Sequence, residues 1–185
     1  MTAVDDRMTG IFENLEVPEG FKAELIRGEI VMTAGPDMVH NIIVEAIRDQ
    51  LPRARWHRLT TQDIDLPGLT SEPQPDLVVF ERDTTEGHGR LVPAPLLTLV
   101  VEVVSKTSVL RDYQTKRELY AEGRIPAYLV VDPIKAVCVL LTEPSPAASS
   151  GLPDYVLQRT TKFGEQIPLD LLGVTLDTSE FRTYS

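Results

Sequence analysis

One cysteine, Cys138, is all the chain contains, so neither an intramolecular disulfide nor a cysteine-based zinc site can form. Set in the apolar run Ala136 to Leu141, it reads as a small core residue. Long hydrophobic runs are missing as well: nothing approaches the roughly 20 apolar residues that cross a bilayer. Met1 to Asn14 has no basic start followed by an apolar stretch, so a secretory signal is not expected and a cytoplasmic address without membrane contact is. Positive charge is scarce, with 18 Lys and Arg against 28 Asp and Glu and a net charge of −10. Proteins that hold nucleic acid by phosphate contacts are usually basic, at least locally. This chain could do so only through a restricted basic surface, through bound divalent cations, or after dimerisation concentrates its positive groups. Its one dense basic stretch, Arg53-Ala54-Arg55-Trp56-His57-Arg58, reads as a solvated helix-to-strand connection.

What is present suits a soluble globular protein of 185 residues, 42% hydrophobic and 25% charged. A single domain over residues 1–185 is expected, its core at about 20–142. Phe21 to Ile26 and Glu29 to Thr33 flank Arg27-Gly28 as a hairpin. Asp37 can cap a helix running to about Leu51, with Val39, Ile42, Ile43, Ala46, Ile47 and Leu51 as its buried stripe; Pro52 ends it, and Glu45 falls on the wet side. Strands follow near Trp56 to Asp65, Asp76 to Glu81 and Leu97 to Val104, with Glu86 to Gly89 a loose connection. A second helix spans about Val109 to Glu122 and stops at Gly123. Ala127 to Val131 and Ala136 to Leu141 form a strand pair around Asp132-Pro133. Glu143 to Pro153 reads as a flexible loop, Tyr155 to Thr160 as a last strand, and Leu169 to Leu172 as a short helical or turn element. Together these describe an α/β domain with a central mixed sheet flanked by helices.

Glu102 breaks that pattern. It lies in the strand Leu97 to Val104, where alternation puts Leu97, Leu99, Val101 and Val103 on one face and Thr98, Val100, Glu102 and Val104 on the other. Both faces are apolar, as in a strand covered on both sides, and a lone carboxylate there must be paired, protonated or bound to metal. On the next helix, at about 100° per residue, Lys116 falls among Val109, Tyr113, Leu119 and Tyr120, with Arg111, Gln114, Glu118 and Glu122 opposite. The alternative is an Asp112–Lys116 pair on a wet face. Asp76 opens the strand Leu77 to Phe80. Two carboxylates on neighbouring strands with a lysine nearby are what metal-assisted phosphodiester hydrolysis requires: hard oxygens hold Mg²⁺, and an ammonium orients water or steadies the phosphate.

These residues carry a family resemblance. Pro75-Asp76 followed by Glu102-Val103-Val104-Ser105 resembles the PD-(D/E)xK nuclease superfamily. With Glu24 to Glu29, His40 at a helix start, Asp112 to Lys116 with Tyr120, and Tyr128 to Pro133, the set is similar to the Uma family of restriction endonucleases over about residues 20–140. The resemblance implies a restriction-endonuclease-like core, dependence on Mg²⁺ with Mn²⁺ able to substitute, DNA as substrate, and a homodimer. It makes Asp76 and Glu102 metal ligands, with the Val103 main-chain carbonyl as a third. The lysine expected two residues after the glutamate is Val104 here; Lys116 stands in, and Lys106 is its rival. Glu24 would supply an extra acid, and otherwise reads as an exposed strand residue. His40 would be a base or phosphate ligand, and otherwise a satisfied boundary histidine. Two other functions stay open: a catalytically silent nuclease fold serving as a dimeric interaction module, and a nuclease acting on RNA or structured DNA.

Overall fold

The computed structural model describes residues 3–66, 68–84, 89–145 and 151–184. It begins with α1 (Ala3–Glu13), a helix announced by no apolar stripe, because its described side chains stay exposed or half-buried. β1 (Phe21–Ile26) and β2 (Glu29–Ala34) pair antiparallel across Arg27 and Gly28, whose φ values of 49° and 79° are both positive, as a tight hairpin turn requires. α2 (Met38–Gln50) is capped as expected: the Asp37 carboxylate accepts the His40 main-chain N–H at 2.9 Å. Its buried residues are His40, Ile43, Val44 and Ile47, so the inward face is turned toward His40 relative to the expected stripe, while Glu45 is exposed.

The expected strand Trp56 to Asp65 is two, β3 (Trp56–Leu59) and β4 (Ile64–Asp65), and they belong to different sheets. β5 (Leu77–Glu81), β6 (Val92–Pro93) and β7 (Leu97–Val103) follow, then a π-helical turn (Arg111–Thr115) running into α3 (Lys116–Glu122). β8 (Ala127–Asp132) and β9 (Val137–Ser145) come next. The putting of residues 143–153 in a loop needs correction, because Glu143 to Ser145 continue β9; residues 146–150, like 86–88 of the expected loose connection, lie outside the described residues. β10 (Asp154–Lys162) is not the last strand: β11 (Gln166–Leu169) and β12 (Val174–Asp177) form a further hairpin around a 3-10 turn, Asp170–Leu172.

Six strands make the central sheet in the order β10-β9-β8-β7-β5-β3, mixed because β7 and β8 run parallel and every other neighbouring pair antiparallel. Each face is covered. On one, Leu99, Val101, Val103, Leu129 and Val131 pack with Ile43 and Ile47 of α2 and with the β11–β12 hairpin. On the other, Val100, Val104, Tyr128 and Val130 pack with Leu119, Tyr120 and Ala121 of α3. Leu97 joins this second group although alternation puts it with Leu99. A register shift opposite Val79 and Phe80 pairs Leu99 with Val79 but Leu97 with Phe80, and so reverses the face.

Two other expectations are refined. The basic stretch 53–58 is an exposed helix-to-strand connection at Arg53 to Arg55, as expected, but not beyond: Trp56 is 1% exposed, and Arg58 donates to the Arg48 and Leu51 carbonyls at 2.6 and 2.8 Å, closing the C-terminal end of α2. Gly123 ends α3 for a packing reason. Its φ is −70°, Arg124 takes the left-handed position at 57°, and a Cβ on Gly123 would fall 2.3 Å from Leu66 Cδ2. Among the described residues no helix is long and apolar enough to cross a membrane.

Candidate functional site

The parallel pair β7–β8 carries Glu102 into the layer beneath α3, where it is 2% exposed. Its Oε1 accepts two hydrogen bonds, from Lys116 Nζ at 2.6 Å and from the Tyr120 hydroxyl at 2.7 Å. Lys116 is 1% exposed and reaches a second carboxylate, Glu24 Oε1 on β1, at 2.8 Å. Glu24 is fully buried; the Gln74 main-chain N–H holds the same oxygen at 2.9 Å. The expected lysine therefore meets the expected glutamate, and Lys106 is exposed on the loop between them. Glu24 is no surface strand residue, because the hairpin turns its face under the sheet.

Asp76 stands just before β5. Its Oδ2 accepts His40 Nε2–H at 2.8 Å and the Val103 main-chain N–H at 2.7 Å, while Lys22 Nζ lies 3.7 Å from its Oδ1. His40 therefore holds Asp76. Lys22, which the sequence reading did not single out, also lies 3.9 Å from Glu24 Oε2, at the outer side of the same cluster. Alternation along β1 puts Lys22 and Glu24 on one face, which was the available signal.

The π turn explains why Asp112 joins them. The Lys116 main-chain N–H bonds to the Arg111 carbonyl, five residues back, so the turn holds an extra residue. Asp112 is consequently 2% exposed, hydrogen-bonded by the Ser108 hydroxyl, and its carbonyl accepts the Tyr128 hydroxyl at 2.9 Å. A wet Asp112–Lys116 pair is excluded. Asp76, Glu102, Val103, Lys116 and His40 all line one cleft of about 330 Å³ between the β2–α2 connection and the loop after β7.

Four acids and one fully buried ammonium shape the electrostatics. Burial, reinforced by the nearby Asp76 and Asp112 charges, outweighs Lys116 and pushes Glu102 up to about 8. Burial likewise raises Asp112. Burial works against Asp76 and Glu24 too, but the His40 hydrogen bond and the Lys22 charge bring Asp76 down to about 2, and the Lys116 charge brings Glu24 below the ordinary carboxylate range. Burial opposes the charge on Lys116, yet Glu102 and Glu24 hold it well above the usual lysine range. The ammonium is thus a fixed cation and not a proton acceptor at neutral pH.

Hard oxygen donors of this kind suit Mg²⁺. Glu24 Oε2 is buried without a hydrogen-bond partner, and burial opposes the charge on Glu102, which a bound cation would offset. In donor chemistry the residues fit such an ion. Among the described residues, however, no three His, Cys, Asp or Glu side chains are spaced to hold one, and Lys116 Nζ stands between Glu24 and Glu102. Of four buried polar side-chain atoms lacking a partner among the described residues, three belong to this region: Glu24 Oε2, His40 Nδ1 and Arg111 Nε. Unsatisfied buried groups are rare enough to mark a site.

Residues 11–179 match the model of the Uma2 family, described as "Putative restriction endonuclease". None of the curated proteins matches. Among solved structures, the chain is similar to a "putative nuclease belonging to DUF820" from Anabaena variabilis, at 15% identity and a TM-score of 0.67, with 92% of this chain and 94% of that one covered. That likeness is one of fold.

Proposed function

The chain belongs to the Uma2 family of putative restriction endonucleases, and from that premise we propose that it is a divalent-metal-dependent endonuclease hydrolysing DNA phosphodiester bonds, working as a homodimer in the cytoplasm. The observation that carries the reading is the buried Lys116, held between Glu24 and Glu102 in the cleft that Asp76 also lines. Asp76 and Glu102, with the Val103 main-chain carbonyl, are the residues that would hold Mg²⁺ or Mn²⁺. When bound, such an ion supplies Lewis acidity, lowering the pKa of water and offsetting phosphate charge. Lys116 contributes fixed positive charge toward a phosphate that gains negative charge at the transition state. His40 orients Asp76 through Nε2, and Tyr120 fixes the rotamer of Glu102.

The direct test is cleavage of supercoiled plasmid and linear duplex with Mg²⁺ or Mn²⁺, stopped by EDTA. Binding should also depend on pH. Because Glu102 is pushed up to about 8, an ion taking its oxygen displaces a proton. Mn²⁺ affinity, measured by calorimetry, should rise by about tenfold per unit from roughly pH 6 to 8 and level off above. Glu102→Gln should flatten that rise; an affinity independent of pH in the unaltered protein would contradict the assigned ligand.

One observation favours a second reading, a nuclease fold retained as a dimeric interaction module: Lys116 already bridges Glu24 and Glu102 without a metal. On that reading dimerisation and partner binding survive Asp76→Asn, and no nucleic acid, DNA, RNA or branched, is cut.

A further inference from the structure

Arg111, set opposite Lys116 by a regular helical wheel, shares its cleft in the structure. On a regular α-helix, residues five apart stand about 140° from each other, which sets Arg111 on the far side from Lys116. The π turn removes that separation: the Lys116 N–H bonds to the Arg111 carbonyl, so Arg111 stands one turn before Lys116 and lines the same cleft. Its Nε is buried and has no hydrogen-bond partner. A buried guanidinium N–H left without an acceptor is costly, and it is retained where a ligand completes it.

The Arg111 charge is felt by Asp112, but no carboxylate accepts a hydrogen bond from it among the described residues: Asp112 accepts from Ser108, Asp76 from His40 and Val103, and Glu102 from Lys116 and Tyr120. In a chain with 28 acidic and 18 basic residues, Lys22, Lys106, Arg111 and Lys116 line this one cleft, matching in number its carboxylates Asp37, Asp76, Glu102 and Asp112. Ser105 and Thr107, beside the exposed Lys106, add hydroxyl donors to the same wall.

We propose that Arg111, assisted by Lys106, is a phosphate clamp that seats a backbone phosphate of the nucleic-acid strand beside the Asp76–Glu102–Lys116 cluster. The planar guanidinium presents a donor fork matched to two phosphate oxygens, with Nε–H as one tine. Lys106 adds a point charge from the loop. The identity of the ligand as a phosphodiester rests on the nuclease reading; the existence of an anion site rests on Arg111 itself.

The test is equilibrium binding of a fluorescent 20-base-pair duplex, in EDTA and again with Ca²⁺ in place of Mg²⁺ so that the carboxylates are offset while cleavage is suppressed, with bis(p-nitrophenyl) phosphate as a second probe followed by calorimetry. Arg111→Met should weaken duplex binding by about tenfold and make the log–log salt slope shallower by about 0.9, one phosphate contact. Arg111→Lys should keep the slope and still lose several-fold in affinity, because an ammonium cannot fork. Should the methionine variant fail to fold on thermal melting, the lysine variant carries the test. Duplex bound equally by all three proteins, with one slope, overturns the clamp and leaves the nuclease reading standing. Duplex bound by none, but the phosphodiester bound by the unaltered protein and lost in Arg111→Met, overturns the nuclease reading and keeps the clamp. Neither probe bound by the unaltered protein overturns both.

Discussion

Glu102→Gln should abolish metal-dependent DNA cleavage, by at least about a thousandfold or roughly 4 kcal/mol of transition-state stabilisation, while leaving the fold in place. The two halves of that expectation have different causes. Glu102 is pushed up to about 8 by burial and by the charges of Asp76 and Asp112, so the cation-free protein favours its neutral form far more than an exposed carboxyl would. Glutamine copies that neutral state in shape and charge. It still offers an oxygen to Lys116 and Tyr120, and Lys116 keeps Glu24. Melting temperature should therefore shift by only a few degrees. Cleavage instead requires the deprotonated carboxylate, which an amide cannot supply. Cleavage by the purified variant at the unaltered rate would falsify the assignment of Glu102 to the chemistry.

Lys116→Met should fail differently, through stability as well as activity. Methionine fills similar space but leaves Glu24 and Glu102 facing each other in a buried pocket without their cation. Removing one partner of a buried ion pair costs about 3–5 kcal/mol, which for a chain of this size lowers the melting temperature by roughly 10 °C. The sign of the pH dependence follows from Glu24. In the unaltered protein Glu24 is held below its ordinary value, so its contribution to stability is present above that value and lost as pH falls. In the variant that advantage is gone, and the stability gap between the two proteins should narrow as pH falls through the carboxylate range. Glu24→Gln combined with Lys116→Met should recover most of the lost stability but none of the cleavage. Calorimetric melts from about pH 4 to 8 check this, and a gap that widens toward acid would remove Lys116 from its place as the cation between the two carboxylates.

Much of the site could be read from residue order because each of its members breaks a local rule. Glu102 interrupts an apolar strand, Lys116 interrupts an apolar helix stripe, and Asp76 stands at a strand entry; each violation demands a partner. Glu24 and His40 were ambiguous because their surroundings are half polar, and only the hairpin and the inward turn of α2 bury them. Lys22, Asp112 and Arg111 were missed or misplaced for two reasons. A helical wheel assumes one rotation per residue, which the π turn at Arg111–Thr115 breaks. An exposed-looking lysine on a hairpin, for its part, gives no hint of the carboxylates it will face. The same limit hid α1, whose described side chains bury too little to leave a stripe, and the β11–β12 hairpin, whose strands are four residues each.

The amino-acid sequence by itself determined the alternation of strands and helices, the sheet covered on both faces, and the demand that Glu102 be compensated. These follow from periodicity and from the cost of burying charge, which are local properties. Only the tertiary structure decided that Lys116 answers two carboxylates at once, that His40 holds Asp76, and that four cations line one cleft in a chain of net charge −10. Which charges meet depends on strand order, register and one extra residue in a helical turn, and these are settled by packing between segments far apart in the chain.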